Sequence, residues 1–295
     1  LSSAVAATEP VVMAPVDTVS LSDVPVPTPA PVIAEPVAAT VSRRVHLNFA
    51  VLEAEGVVTP EAPRSQIADQ YRVIKRPLIA NAMGKGASVI ANGNLIMVTS
   101  ALAGEGKSFT AINLAMSIAT ELDNTVMLVD ADVARPSVLR MLKLPPSPGL
   151  LDMLVDENAD LSKMLLKTNV EKLSILPSGT QHPRATELLA SDAMAALLED
   201  LSQRYSDRII IFDSPPLLLT TESRVLASHM GQIVMVVHAE RTLQADVQSA
   251  LATIEACPVK MLVLNQARTF ARNGYSAGYG YGYGYGYGVT PRKAA

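Results

Sequence analysis

The stretch SALAGEGKS, residues 100–108, combines the residue types that can hold a chain of phosphates. Gly104 and Gly106 let the backbone turn so that its N–H groups converge on anionic oxygens, and a helix starting there adds partial positive charge. Lys107 is placed to reach the β and γ phosphates, and Ser108 to ligate Mg²⁺. Glu105 and Phe109 complete the candidate nucleotide-binding run. The usual pattern has Gly at the first position, where this chain has Ala101. Three carboxylates follow at intervals. Asp130 and Asp132 lie in VMLVDADVARPS, residues 126–137, and Asp213 closes the apolar run of RIIIFDSPP. An apolar strand ending in Asp, downstream of such a loop, is the arrangement that holds Mg²⁺. Side chains two apart on a strand face the same way, so Asp130 and Asp132 share a face if the strand continues that far.

The segments around these residues alternate between strand and helix patterns. LIMVTS is followed by the glycine-rich turn and then by FTAINLAMSIATEL. TVMLVDAD, LSILPSG, ATELLASDAMAALLEDLSQRY, RIIIFDSPP, QIVMVVHA, LQADVQSALATIEA and VKMLVLNQA follow. The strand runs are apolar on both faces, as in a sheet covered by helices on each side. This predicts an α/β fold, a doubly wound and mostly parallel sheet of the P-loop NTPase type, ending near Arg268. Ligands of such sheets bind beyond the C-terminal ends of the strands, where the three acids fall. Asn265, in LVLNQAR, lies at a late strand end where related folds contact the base; a structural role at the strand end fits it equally.

Before this domain the chain changes character. Residues 1–42 are rich in Pro, Ala and Val and read as a disordered arm, because frequent Pro blocks helix and ladder pairing. Residues 43–63 read either as a docking segment or as a strand or turn packed on the main domain. Residues 64–81 have the spacing of an amphipathic helix, with Ile67, Tyr71, Ile74 and Leu78 on one face and Asp69, Arg72 and Lys75 on another. Pro77 is expected to kink or end it. The domain is taken as residues 64–270 and the end of the chain, 271–295, as a flexible tail.

Composition narrows the function classes. The 295 residues are 49% hydrophobic, enough for a sizeable core, and the net charge of −4 argues against a nucleic-acid partner. One cysteine, Cys257, excludes a disulfide framework and fits a reducing cytoplasm. No run is long and apolar enough to suggest a spanning helix, and no charged start followed by an apolar block suggests a secretory signal. His182, His229 and His238 have no ligand spacing. Of eight tyrosines, six fall at the end of the chain: Tyr275, Tyr279, Tyr281, Tyr283, Tyr285 and Tyr287 in GYSAGYGYGYGYGYG. Beside a phosphate-binding loop, phenols on a Gly-rich chain suit presentation of one hydroxyl after another to a single site.

Taken together, these motifs resemble the bacterial tyrosine kinases (BY-kinases) of polysaccharide export systems, from about Ser65 to Asn265 and again in the tail. That family joins the P-loop to an Asp-x-Asp motif followed by Arg and Pro, matched here by Asp130, Asp132, Arg135 and Pro136, with Ala134 where a second Arg often stands. LPSGTQHPRATELLAS, residues 176–191, also matches a family segment. PRSQIADQYRVIKRPLIANA resembles the stand-alone autokinases of exosortase-linked systems. The resemblance implies ATP and Mg²⁺ as cofactors and Asp130 as the base, with Lys107 steadying the transferred group. It places Asp132 and Asp213, with Ser108, on the metal. The sequence alone leaves open which of Asp130 and Asp132 takes the proton. The family's Glu-x-x-Arg-x-x-Arg ring-forming helix has Asp69, Arg72 and Lys75 as its nearest match. The resemblance further implies a homo-oligomeric ring, phosphorylation of the tail in trans and a membrane co-polymerase as activator. It implies a cytoplasmic location, peripheral to the inner membrane through that partner. Partition or septum-placement ATPases share the fold, but they carry an extra lysine early in the loop where this chain has SALAG. An ATP-dependent scaffold that transfers no phosphate is the third reading.

Residues 256–295 carry Lys260, Arg268, Arg272, Arg292 and Lys293 and no Asp or Glu. Each phosphate adds roughly −1.5 to −2 charges, so full modification of the tail would add roughly −9 to −12. The tail would change from basic to strongly acidic.

Overall fold

The computed structural model describes residues 43–267 apart from 157 and 206. The Pro-rich arm and the tyrosine tail read from the sequence lie outside the described residues. Eight strands form one sheet: β1 (Arg43–Arg44), β2 (Leu95–Ser100), β3 (Thr125–Asp130), β4 (Leu166–Lys167), β5 (Leu173–Leu176), β6 (Arg208–Asp213), β7 (Gln232–His238) and β8 (Val259–Asn265). Their order is β1-β4-β5-β3-β6-β2-β7-β8. Every neighbouring pair is parallel except β4 with β5. Ten helices connect them among the described residues. They are α1 (Phe49–Ala54), α2 (Gln66–Ala82), α3 (Lys107–Ala119), α4 (Val138–Met141), α5 (Leu150–Val155), α6 (Leu161–Met164), α7 (Ala185–Leu189), α8 (Asp192–Arg204), α9 (Glu222–Ser228) and α10 (Gln244–Ala252).

The period of two along each central strand divides the core. Ile96, Val98, Ile209, Ile211, Val234 and Val236 pack with α2 and α3 on one face. Leu95, Met97, Ile210, Phe212, Ile233 and Met235 pack with α5, α8 and α10 on the other. Burying each such side chain contributes about 1.5–3 kcal/mol, so a change of register would expose one core to gain nothing in the other. The edge strand β8 departs from the expected two-faced apolar pattern. Met261 and Val263 pack inward, while Leu262 and Leu264 are 54% and 63% exposed.

Three local features refine the expectations. Pro77 does not end α2, which runs from Gln66 to Ala82. The carbonyl deprived of its donor belongs to Val73, whose side chain is 75% exposed, so water can replace the bond. The run 185–205 is two helices rather than one, because Ser191 stops α7 and caps α8 by accepting from Met194 N at 3.3 Å. Residues 43–63 follow the second of their two readings. Leu47 and Leu52 are fully buried in the core. The Asn169 side chain accepts from Leu47 N at 2.8 Å and donates to Leu47 O at 3.1 Å. Asn113 Oδ1 accepts from Val58 N at 2.7 Å. The segment is thus stitched to the same sheet as the rest of the domain.

Candidate active site

β2 delivers the chain to the phosphate loop, and α3 carries it away. Gly104 and Gly106 have φ of +83° and +95°. At Gly106 a Cβ would lie 2.1 Å from Asn265 Nδ2, so backbone conformation and space both require glycine. No side chain caps the N-terminus of α3, whose N–H groups remain available to an anion. Glu105 and Asn265, both read from the sequence as nucleotide contacts, spend their polar atoms on the loop itself. The buried Glu105 carboxylate accepts from Leu102 N at 2.7 Å and from the Thr242 hydroxyl. Asn265 Nδ2 donates to Glu105 O at 2.9 Å, and its Oδ1 accepts from Gln266 N at 2.9 Å. Phe109 points away from the loop and packs against the core beneath α2.

Asp132 and Asp213 converge on Lys107, and Asp130 lies beside them. Asp130 and Asp213 end β3 and β6 in register with each other. Asp132 lies past the end of β3, so the condition for a shared strand face is not met. A turn places it instead, with Arg135 N donating to Asp132 Oδ1 at 3.2 Å. Lys107 Nζ is 2.5 Å from Asp132 Oδ2 and 4.0 Å from Asp213 Oδ1. Asp130 Oδ2 accepts from Ser137 N at 3.1 Å and Val138 N at 3.0 Å. Asp130 Oδ1 and both oxygens of Asp213 are buried without a hydrogen-bond partner of good geometry. Ser108, at the first turn of α3, is close enough to Asp213 to lower its pKa.

Burial dominates the titration of this pair. Removal from water pushes the Asp130 carboxyl up to about 7, and the neighbouring Asp213 charge adds to the rise; the Val138 and Ser137 N–H groups oppose it. Asp213 is raised by burial too, against the pull of the Lys107 ammonium and the Ser108 hydroxyl. Asp213 and Asp130 keep buried oxygens without a hydrogen-bond partner, acceptor capacity that a bound cation could use; among the described residues no group of three or more acids, histidines or cysteines is arranged to hold a metal by itself.

Asp130 also lines a cavity of about 570 Å³ bounded by Pro136, Leu139, Arg140, Leu144 and the 178–181 loop. That loop is held by Asp152, whose Oδ2 accepts from Gly149 N at 2.8 Å and Thr180 N at 2.9 Å. A Cβ at Gly149 would fall 2.0 Å from Pro177 O, so α5 and the loop approach as closely as two backbones can. Sequence reasoning missed Asp152, Gly149 and Thr242. Asp152 and Gly149 sit at the spacing of a helix cap, a readable signal; Thr242 is 137 residues from Glu105 and had none.

The acidic-basic face of α2 divides. Asp69 and Arg72 form an exposed ion pair, and Arg72 also donates to Pro63 O. Lys75 is 3% exposed and turns inward, donating to Ser117 O at 2.5 Å and pairing with Glu121 at 2.7 Å. Tyr275, Tyr279, Tyr281, Tyr283, Tyr285 and Tyr287 lie outside the described residues.

The AAA domain family matches residues 93–263, more than half of the chain and the whole of the loop-and-carboxylate site. The tyrosine-protein kinase YwqD of Bacillus subtilis is 31% identical over 206 residues, covering 70% of this chain and 83% of that protein. The chain belongs to the bacterial tyrosine-protein kinases. The kinase is also 32% identical over 174 residues to the tyrosine-protein kinase CpsD of Streptococcus agalactiae, covering 58% of this chain and 75% of that one. Among solved structures, the chimerical protein CapA2B2 is similar at TM-score 0.58 and 27% identity, over 75% of this chain and 93% of its own. The kinase domain of Escherichia coli ETK shares the fold at TM-score 0.61 and 23% identity, over 82% and 94%. The kinase is thus a P-loop NTPase fold turned to phosphoryl transfer onto tyrosine. Among the described residues, no helix is long and apolar enough to cross a membrane.

Proposed function

We propose that this kinase uses ATP and Mg²⁺ to phosphorylate the C-terminal tyrosines of a neighbouring copy, from Tyr275 to Tyr287, within a ring. The observation that carries the reading is Asp130: a buried carboxylate with one unpartnered oxygen, next to Asp132 and Asp213 and facing a cavity large enough for a phenol. A pKa raised towards neutrality suits a general base at working pH. Asp132 is the weaker candidate, because Lys107 and Arg135 N already engage its two oxygens.

The residues present fit the nucleotide and the metal. The uncapped α3 N-terminus and the loop N–H groups suit the phosphates, and Ser108, Asp132 and Asp213 would hold the cation. Bound Mg²⁺ supplies neutralisation of charge on the β and γ phosphates. Lys107, parked on Asp132, would turn to the γ-phosphoryl oxygens and steady the charge that develops there. Asp130 accepts the phenolic proton as the tyrosine oxygen bonds to the γ-phosphorus and the bond from that phosphorus to the β–γ bridging oxygen breaks, releasing ADP. The walls of the cavity hold the ring in line and exclude water, which would otherwise compete as acceptor.

Two further parts of the reading concern assembly. Asp69 and Arg72 present charge on the exposed face of α2 and are the candidate ring contacts; Lys75 supports them from inside. A chain-length-determining membrane protein acts as activator, holds the kinase at the inner membrane from the cytoplasmic side, and couples phosphorylation to exopolysaccharide polymerisation and export. Rings form with tails docked and come apart as the tails become acidic. Incubation with labelled ATP and Mg²⁺, with and without an activator peptide, followed by mass spectrometry, tests the transfer. Label is expected on the tail tyrosines and absent in Lys107→Met. Light scattering tests the cycle: an unchanged oligomer after ATP treatment would rule it out.

A further inference from the structure

At the opposite end of the sheet the charge is reversed. A cleft of about 410 Å³ opens at the N-terminal ends of β3, β5 and β6, and Arg44, Lys167, Lys172 and Arg208 line it. Glu171 is the one acid in its wall. Arg44, Lys167 and Arg208 have no ion-pair partner among the described residues. Lys172 is turned to the backbone carbonyls of Glu121 and Leu122. Arg208 Nε and Thr125 Oγ1 are buried without a hydrogen-bond partner, an unfavourable state that a bound acceptor would relieve. Beside them are an aromatic and an apolar surface. Arg208 stacks 4.7 Å over the Tyr205 ring, and Leu165 lines the same wall.

Unpaired guanidinium and ammonium groups with orphaned donors suit a phosphate, and Tyr205 with Leu165 suits a ring attached to it. We propose that this cleft binds phosphotyrosine from the kinase's own C-terminal tail, in the same chain or a neighbouring copy. The inference rests on the proposed tail phosphorylation for its ligand. Charge complementarity selects the modified form: the tail carries Arg268, Arg272, Arg292 and Lys293 and no acid, so before phosphorylation the cations of the cleft repel it. The tail is also long enough. Twenty residues separate Ala267 from Tyr287, a reach of up to about 66 Å. Crossing from the end of β8 to the start of β3 spans roughly 20 Å across the strands and 20 Å along them. A phosphorylated tail held there is kept away from every Asp130, so the cleft removes product from the active edge.

The test uses the full-length kinase after phosphatase treatment, with a synthetic fluorescent peptide of residues 278–288 phosphorylated at Tyr283. Because the peptide is made chemically, failure of tail phosphorylation leaves the binding result intact and readable. Anisotropy is expected to show saturable binding of the phosphopeptide and at least tenfold weaker binding of the unmodified peptide. The double charge reversal Arg44→Glu, Lys167→Glu, at two exposed side chains, is expected to weaken phosphopeptide binding at least tenfold with ATP turnover unchanged. Equal binding of the two peptides overturns the inference, as does equal phosphopeptide affinity of wild type and variant. So does a variant that loses binding to phosphatidylglycerol vesicles while keeping the phosphopeptide. If the double variant melts early, Lys167→Gln replaces it; a loss of at least threefold is expected, and no loss overturns the inference.

Discussion

The two ends of one sheet carry opposite chemistry. At the C-terminal ends of β3 and β6, Asp130, Asp132 and Asp213 cluster with a single ammonium, that of Lys107, on Asp132 and Asp213. At the N-terminal ends of the same strands, Arg44, Lys167 and Arg208 line a cleft with a single acid in its wall. The buried acids do not stabilise the fold by themselves, since buried charge costs free energy unless it is fully paired. What separates them is burial. The acids are nearly inaccessible, and burial raises Asp130 and Asp213 above the usual carboxylate range; Arg44 and Lys167 are exposed. An edge built to receive a metal must hold its charges in fixed positions, whereas an edge that captures a tail can let them move.

Lys107→Met strikes the acidic end hardest. It removes the group that balances Asp132 and Asp213 and the one placed to meet the transferred phosphoryl. Loss of one such charge-stabilising group costs about 10²–10³-fold in rate, so tail phosphorylation in a single-turnover assay should fall by about that factor. If activity falls less than tenfold, Lys107 is not the cation of the transition state.

Asp130→Asn is the next step down, and it also separates base from scaffold. Loss of a general base costs about 10²-fold or more. Stability should move the other way. Because the folded-state pKa of Asp130 is raised to about 7 from 3.8, its contribution is fully present below pH 4 and is lost as pH rises through 7. The wild-type protein without Mg²⁺ should therefore lose thermal stability between pH 4 and 8, and Asp130→Asn should lose less. Parallel melting curves for the two proteins over that range would remove Asp130 as the source. Mg²⁺ with nucleotide should recover the wild-type loss at pH 8 by compensating the charge.

Thr242→Val tests the loop behind the acids with a smaller effect. It leaves Glu105 Oε1 without its donor while Leu102 N still holds the other oxygen. One net hydrogen bond is about 1 kcal/mol, so the expected result is about a fivefold rise in KM for ATP with kcat little changed. A fall in kcat at constant KM would place Thr242 in the chemistry rather than in the shape of the loop.

Most of the acidic edge was legible from sequence, and the cationic edge was not. The P-loop signature, the two strand-ending aspartates and the alternation of strands and helices are local patterns, and each reports on neighbours in the chain. Arg44, Lys167 and Arg208 come from β1, β4 and β6; nothing in their flanking residues says that the sheet order gathers them. The same limit hides the far partner of Glu105: a buried carboxylate needs donors, and Thr242 supplies one from 137 residues away. Pro77 does not end α2, because the carbonyl it deprives of a donor is that of Val73, on the open side of the helix.

The helix α2 gives the smallest effect and the finest comparison, because its basic residues Arg72 and Lys75 differ in burial. Lys75 is enclosed with Glu121 and the Ser117 carbonyl, whereas Asp69 and Arg72 face outward. Lys75→Met removes a donor from Ser117 O and a partner from Glu121 but keeps most of the buried stem, so the cost is about 1–3 kcal/mol. Melting temperature should fall by several degrees while the oligomer measured by light scattering stays the same. Arg72→Glu should do the reverse, because an exposed i, i+3 pair adds well under 1 kcal/mol to the fold yet its charge faces any neighbour. If instead Lys75→Met dissolves the oligomer at unchanged stability, α2 must rotate on assembly to bring Lys75 out, and the buried pair with Glu121 describes the free subunit only.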